Sequence, residues 1–127
     1  MGQPCRERSM VKQGAIIWLD FDPQTGHEQK GRRPALIISN ETFNNFSSLA
    51  IVCPITNTNK KHPFHVKLDK RTITTGVVLS DQSRTLDIKA RNYEFIEIIP
   101  DDILLVVIDI VSGFIEPDHK NNAASFA

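Results

Sequence analysis

The chain has 127 residues, of which 40% are hydrophobic and 24% are charged. This length and balance predict one globular domain and exclude a wholly disordered chain, a collagen-like chain and a disulfide-dense miniprotein. The 15 Lys and Arg residues cancel the 15 Asp and Glu residues, which argues against nonspecific coating of nucleic acid but is compatible with a local basic groove.

Short strands are predicted along most of the chain. The first covers residues 15–21, where β-branched and aromatic residues are dense, and turn-forming residues 22–26 end it. A charged loop leads to a second strand at 34–39, and residues 40–46 form a short helical turn or a loop. The remaining predicted strands are 49–55, 64–68, 75–80 and 93–98, and residues 81–87 are predicted to continue the fifth strand through a bulge or bend.

One helix is predicted near the C-terminus. Pro100, Asp101 and Asp102 are typical of a helix start, and apolar residues recur at helical spacing over 103–114. The many β-branched residues in this segment make a strand the rival interpretation. The predicted fold class is therefore mainly β with a C-terminal helix, a small curled antiparallel sheet or barrel on which the helix packs. We expect a disordered extension at residues 1–10, one domain at 11–116 and a polar tail at 117–127.

The two cysteines, Cys5 and Cys53, lie far apart, and no Cys and His residues have zinc-site spacing. We expect two free thiols in a reducing cytoplasm. The longest apolar run, 103–108, is too short to cross a membrane, and the first residues lack the apolar core of a signal peptide. The sequence thus predicts a cytoplasmic protein without a membrane segment.

The loop 26–34 combines an imidazole, a carboxylate and three cations. Its candidate functional residues are His27, Glu28, Gln29, Lys30, Arg32 and Arg33. Planar guanidinium groups match phosphate oxygens, and the glycines of the loop let the backbone approach a bulky ligand. The alternative is a solvated hairpin loop whose charges serve solubility.

Two more polar clusters follow apolar strands. Thr56 and Asn57 end the third strand, where a hydroxyl and an amide can hold a phosphate or a base edge; the alternative is an ST-turn. Segment 80–84 interrupts the apolar pattern and supplies the candidates Asp81, Gln82 and Arg84, although Asp81 and Arg84 could simply pair with each other.

The other histidines, His62, His65 and His119, have neither ligand spacing nor an evident carboxylate partner, and we interpret them as surface residues. Trp18 and Phe21 lie within the first strand, and we interpret them as core residues rather than base-stacking platforms.

From about Val11 to Glu116, the order and spacing of these motifs resemble the MazF/PemK/Kid family of type II toxins, the mRNA interferases. The matching segments are Gly14–Pro23, Gly26–Gln29 with Gly31, Arg33–Ala35, Cys53–Thr56 and Gly76–Asp87. The resemblance implies an SH3-like small barrel (the CcdB/PemK-like plasmid maintenance toxin fold) that works as a homodimer. It also implies sequence-specific cleavage of single-stranded mRNA without a metal or other cofactor, and inhibition by a cognate antitoxin.

The resemblance places the family's functional arginine on Arg33, its threonine on Thr56 and its loop glutamate on Glu28. In the PemK/Kid branch, the loop histidine falls on His27 and an aspartate on Asp81. That branch carries an arginine where this chain has Leu79, so we favour the MazF-like version with arginine and threonine. The predicted RNA-binding residues are Gln29, Lys30, Arg32, Asn57, Lys60, Lys61, Gln82 and Arg84.

In metal-free RNA cleavage the 2′-OH is the nucleophile, and the product is a 2′,3′-cyclic phosphate or 3′-phosphate with a 5′-OH. Arg33 stays protonated, so its expected role is to stabilise charge on the phosphorane. Thr56 would hydrogen-bond a phosphate oxygen, and the general base is Glu28, His27 or Asp81.

Two alternatives stay open. One is a non-catalytic toxin that binds a protein, like the gyrase poison CcdB, although this chain lacks the Trp-Gly-Ile C-terminus that CcdB uses. The other is an inactive relative that only titrates antitoxin.

Overall fold

The computed structural model describes residues 11–21, 31–58 and 61–118. Within these ranges the chain forms seven β-strands and two α-helices. The elements are β1 (Ala15–Asp20), β2 (Arg32–Ile37), α1 (Glu41–Ser47), β3 (Ala50–Thr56), β4 (His65–Lys67), β5 (Val77–Leu79), β6 (Arg84–Leu86), β7 (Glu94–Ile98) and α2 (Asp101–Ile115). Two 3-10 turns, Ser80–Gln82 and Ile88–Arg91, follow β5 and β6. The predicted class, mainly β with a C-terminal helix, is confirmed.

All strand pairs are antiparallel, and the order across the sheet is β4-β5-β3-β2-β1-β7. The long strand β3 pairs with β5 near its end, at Ile55 and Thr56, and with β6 near its start, at residues 50–52. The 3-10 turn between β5 and β6 therefore replaces the predicted bulge or bend. It places the polar segment 80–84 beside the middle of β3.

The sheet buries both of its faces, because successive side chains of a strand point to opposite sides. In β1, Ile16 belongs to a core that includes Ile103, Leu104 and Val107 of α2, whereas Ile17 belongs to a second core on the opposite face. This double burial explains why the strands are almost continuously apolar.

A side-chain cap stabilises α1, and packing against the sheet stabilises α2. At α1, the Asn40 side chain accepts a hydrogen bond from the Phe43 amide at 3.0 Å, which caps the helix N-terminus. At α2, packing of one apolar face against the sheet overrides the low helix propensity of its β-branched residues. The helical interpretation of both segments is confirmed.

Some burial predictions were only partly right. Phe21 is fully buried, but Trp18 is 39% exposed: by alternation it shares the face of Ile16, yet it is not part of the core that includes α2. Cys53 is a buried free thiol, and its burial, together with the nearby Asp81 carboxylate, raises its pKa to about 12.

Cys5 and the predicted extension 1–10 lie outside the described residues, as does most of the tail. No helix in the described part of the chain is long and apolar enough to cross a membrane.

Candidate active site

The β2–β3 register brings together the two residues to which the resemblance gives most weight. Paired residues along this ladder include Ala35 with Pro54 and Ile37 with Val52. Continuing the antiparallel register by two residues on each strand puts Arg33 level with Thr56. The observed β2–β3 pairs end at Ala35 and Pro54. By strand alternation both side chains belong to the face of the second core, so a cation and a hydroxyl are on the same side of the sheet.

The end of β3 is shaped by an ST-turn. The Thr56 hydroxyl oxygen accepts a hydrogen bond from the Thr58 amide at 3.3 Å and lies 3.2 Å from the Thr58 hydroxyl oxygen. The structural alternative considered for this segment is therefore present. It also orients Thr56, because the turn restricts the rotamer of a side chain that is already buried.

Gly76 makes the close packing around Thr56 possible. Its φ is +115°, and a Cβ atom at this position would lie 2.3 Å from the Thr56 carbonyl oxygen. Only glycine fits a backbone of this conformation and proximity. Next to it, the Thr75 hydroxyl lies 3.0 Å from Asn57 Oδ1 and donates to it, which holds the predicted RNA-binding residue Asn57 against the following strand.

A groove of about 570 Å³ runs past this end of the sheet. Its lining includes Asn57, Thr58, Lys67, Lys70 and Thr75. The lysines lie on β4 and in the loop after it. Asp69 also lines the groove but is paired with Arg71, so the two lysines supply positive charge near the end of β3. Sequence reasoning missed both lysines, because only strand pairing brings the region around β4 to the end of β3.

Arg84 provides a second cation on the same side of the sheet as Arg33. It pairs with Val52 in the β3–β6 ladder, and its guanidinium carbon lies 5.8 Å from the centroid of the Phe21 ring. Its Nη1 atom is buried and has no hydrogen-bond partner within residues 11–21, 31–58 and 61–118. A buried guanidinium nitrogen without a partner is costly, so this position favours an anionic ligand. Arg84 is not paired with Asp81, the alternative considered for segment 80–84.

Asp81 instead lies near a histidine. His65 Nε2 is 3.4 Å from Asp81 Oδ1, and the two side chains are 14% and 34% exposed. The His65 ring stacks on the ring of His62, with centroids 4.6 Å apart. The interpretation of His65 as a surface residue without a carboxylate partner was therefore wrong. His62 is exposed as expected, and His119 lies outside the described residues.

The pairing of β4 with β5 explains this contact. His65 is directly opposite Leu79, two residues before Asp81. Alternation in the segment Phe64-His65-Val66 indicated a half-buried strand, but nothing in the sequence indicated its partner strand. The imidazole thus stands across from the position where the PemK/Kid branch carries an arginine.

Arg32 is engaged in contacts within the fold. Its guanidinium lies 3.2 Å from an Asp20 carboxylate oxygen, 3.4 Å from one of Glu94, and donates to the Asn92 carbonyl oxygen at 2.7 Å. A phosphate at Arg32 would have to replace these partners.

Lys61 is exposed beyond the end of β3, and Gln82 lies in the 3-10 turn after β5. The remaining predicted site residues lie outside the described residues: His27, Glu28, Gln29, Lys30 and Lys60.

Comparison with known proteins identifies a family for the chain. Residues 12–112 match the model of a family described as PemK-like, MazF-like toxin of type II toxin-antitoxin system. Endoribonuclease PemK of Escherichia coli is 40% identical over 111 residues, which are 84% of this chain and 84% of that protein. Among solved structures, MazF from Deinococcus radiodurans has a TM-score of 0.77 at 40% identity, covering 81% of this chain and 94% of that one.

A structure of MazE–MazF from the same organism has a TM-score of 0.71 at 33% identity, covering 84% of this chain and 96% of the other. The family model spans most of the chain, and these solved structures have the same fold as the chain. The chain therefore belongs to the PemK-like, MazF-like toxin family of type II toxin–antitoxin systems.

Proposed function

We propose that the chain is an endoribonuclease that cleaves single-stranded mRNA at a short sequence, without a metal, through attack of the 2′-OH on the adjacent phosphate. Its relatives named PemK and MazF are endoribonucleases. The observation that carries the proposal is the alignment of Arg33 with Thr56 on one face of the sheet, beside a groove that lysines line. DNA lacks the 2′-OH and should not be cut.

In this scheme the scissile phosphate lies against Arg33 and Thr56. Arg33 stabilises negative charge on the phosphorane, and the Thr56 hydroxyl donates to a phosphate oxygen while the Thr58 amide fixes its position. The unpartnered Arg84 Nη1 fits a neighbouring phosphate. Asn57 and the groove lysines would contact bases and backbone of an unstacked strand.

The general base is proposed among Glu28, His27 and Asp81. Of these, Asp81 lies in the described part of the chain, where His65 stands beside its carboxylate. The imidazole fills the place opposite Leu79 and so supplies a partner that the PemK/Kid arrangement takes from an arginine. His65 would orient Asp81 and act as a positioning residue.

We further propose that the chain works as a homodimer in the cytoplasm, where its mRNA substrate is found. The outer face of α2 supports a dimer, because it exposes Leu105, Val106 and Ile115 to solvent. A cognate antitoxin protein is proposed as the inhibitor, since MazF neighbours are found in complex with MazE. Light scattering of the purified, antitoxin-free protein would measure the dimer directly.

The test of the catalytic assignment compares two adjacent arginines. Arg33→Ala should lower the cleavage rate by about 10²–10³-fold, the usual effect of removing one charge-stabilising group. Arg32→Ala is the matched control, and its effect should stay below about tenfold, because Asp20 and Glu94 already engage this guanidinium. Circular dichroism would establish that both variants are folded. An Arg33→Ala variant that cleaves at the rate of the unmodified protein would refute the assignment.

The two rival functions predict a different result. A toxin that binds a protein target, or an inactive relative that titrates antitoxin, would leave every RNA intact even when it is folded and free of antitoxin. The alignment of Arg33 with Thr56 favours the endoribonuclease over both.

A further inference from the structure

A cluster of two imidazoles and one carboxylate lies beside the first 3-10 turn. One ligand atom each from His62, His65 and Asp81 can be chosen so that all three lie within 4.8 Å of one another. Imidazole nitrogens with a carboxylate oxygen are a common donor set for Zn²⁺ and neighbouring transition metals. The sequence does not reveal the cluster, because the β4–β5 pairing brings Asp81 to the two histidines.

His65 is not satisfied by the contacts around it. Its Nδ1 atom is buried and has no hydrogen-bond partner among the described residues. Its Nε2 atom is 3.4 Å from Asp81 Oδ1, longer than the roughly 2.7–2.9 Å of a charge-assisted hydrogen bond. A buried polar group with unmet hydrogen bonds calls for an explanation such as a bound ion or water. A metal bound through Nε2, the nitrogen that faces Asp81, would replace this long contact, and Nδ1 would then carry the proton of the imidazole.

Binding an ion requires the cluster to contract and the His62 ring to turn, because the two rings now stack with their planes 27° apart. Ligands about 2.0–2.1 Å from a tetrahedral Zn²⁺ lie roughly 3.3 Å from each other, so the present spacing must shorten. His62 is exposed and can move, whereas β4 holds His65 in place. His62 Nδ1 now accepts a hydrogen bond from the Phe64 amide at 3.2 Å. Metal binding through either nitrogen of His62 breaks this exposed hydrogen bond. A water molecule can then accept the hydrogen bond of the Phe64 amide.

We propose that His62, His65 and Asp81 form a binding site for a divalent transition-metal ion of the Zn²⁺ class, and that an ion bound there inhibits the protein. Three protein ligands leave a fourth position for water, as in open zinc sites. The inhibition rests on the proposed function: a carboxylate bound to the ion can no longer serve RNA cleavage. Catalysis itself needs no metal, so the bound ion acts only as an inhibitor.

Binding is tested on the full-length protein after chelator treatment and removal of the chelator. Titration with Zn²⁺ should show one site per chain by calorimetry, and Co²⁺ should give visible absorption bands of a low-symmetry site. His62→Ala removes an exposed ligand and should weaken binding by at least about tenfold, since loss of even an outer-shell partner typically costs 10–100-fold. Glu41→Ala, which removes an exposed carboxylate of α1 outside the cluster, is the control and should leave the affinity unchanged. Equal affinity in the unmodified protein and His62→Ala, or weakened binding in the control, would overturn the site.

Inhibition is tested separately with the cleavage assay. Zn²⁺ should slow the unmodified protein, and His62→Ala should need at least about tenfold more Zn²⁺ for the same effect. Zinc that binds at the cluster but slows both proteins equally would overturn the inhibitory role. If no RNA is cleaved under any condition, the proposed function fails, while calorimetry and Co²⁺ absorption still decide whether the metal site exists.

Discussion

Replacing Gly76 by alanine should destabilise the fold far more than the same change at Gly31 or Gly113. At Gly76 the φ of +115° is unfavourable for any residue with a Cβ, and that atom would lie 2.3 Å from the Thr56 carbonyl oxygen. Backbone strain of this kind costs about 1–3 kcal/mol, and forced overlap in a packed region adds about 1–3 kcal/mol. The free energy of unfolding should therefore fall by roughly 2–6 kcal/mol, a large part of the 5–15 kcal/mol typical of a domain.

Two other glycines provide matched controls. Gly31 has a φ of +77°, but a Cβ there would meet nothing within 4 Å, so Gly31→Ala should cost only about 1–2 kcal/mol of backbone strain. Gly113 lies in the interior of α2 with open space around it and no positive φ. Gly113→Ala should stabilise the protein by about 0.5–1 kcal/mol, because alanine is the better helix former.

Urea unfolding followed by far-ultraviolet circular dichroism measures all three variants on one scale. The expected order of stability is Gly113→Ala, then the unmodified protein, then Gly31→Ala, then Gly76→Ala. Because the added methyl pushes on Thr56, Gly76→Ala should also cut the cleavage rate of the molecules that remain folded. A Gly76→Ala variant as stable as Gly31→Ala would show that the contact with the Thr56 carbonyl does not constrain the fold.

Three further predictions concern the core, the surface and the thiol. Val107→Ala removes two methyl groups from a fully buried position of α2 and should cost about 2–3 kcal/mol in the same urea assay; a loss below about 0.5 kcal/mol would contradict the assigned packing. Arg71 binds the Asp69 and Asp102 carboxylates, and its hydrogen bonds lower the pKa of Asp69 to about 2 and also lower that of Asp102. Since the folded pKa values lie below the unfolded ones, this stabilisation is complete above about pH 4 and is lost as the pH falls towards 2. Arg71→Gln should make the free energy of unfolding depend less on pH between about 4 and 2. An unchanged pH dependence in that range would contradict this linkage. Iodoacetamide at pH 8 should leave Cys53 unmodified in the native protein and alkylate it after denaturation, because its pKa is about 12; peptide mapping that finds native Cys53 alkylated as fast as in the denatured chain would contradict its burial.

Local patterns were sufficient to predict most of the elements. The acids after Pro100 and the helical spacing that follows predicted α2, and β-branched runs predicted β1, β2 and β3. The turn at 80–82 was harder, because a polar interruption in a strand pattern is compatible with a bulge, a bend or a turn. Burial of Trp18 failed for a related reason: strand alternation assigns a face, but it does not show how far the covering helix extends.

Motifs predicted part of the candidate site, and long-range pairing supplied the rest. Arg33 and Thr56 were chosen by resemblance, and strand alternation puts both on the same face of the sheet. His65 was missed because its partner Asp81 comes from another strand and its turn. Gly76 belonged to a matching motif, but its contact with Thr56 depends on the β3–β5 pairing. Residues that act through neighbours in space leave no spacing signal in the sequence.

The most direct test of the account is to incubate the purified, antitoxin-free protein with a long single-stranded RNA of known sequence in the presence of EDTA, and to map the cut ends. Cleavage through the 2′-OH should give recurrent cuts at one short motif with 5′-OH termini, and should leave a DNA strand of the same sequence intact. An RNA that stays whole with folded protein, or cleavage that EDTA abolishes and a divalent ion restores, would contradict it.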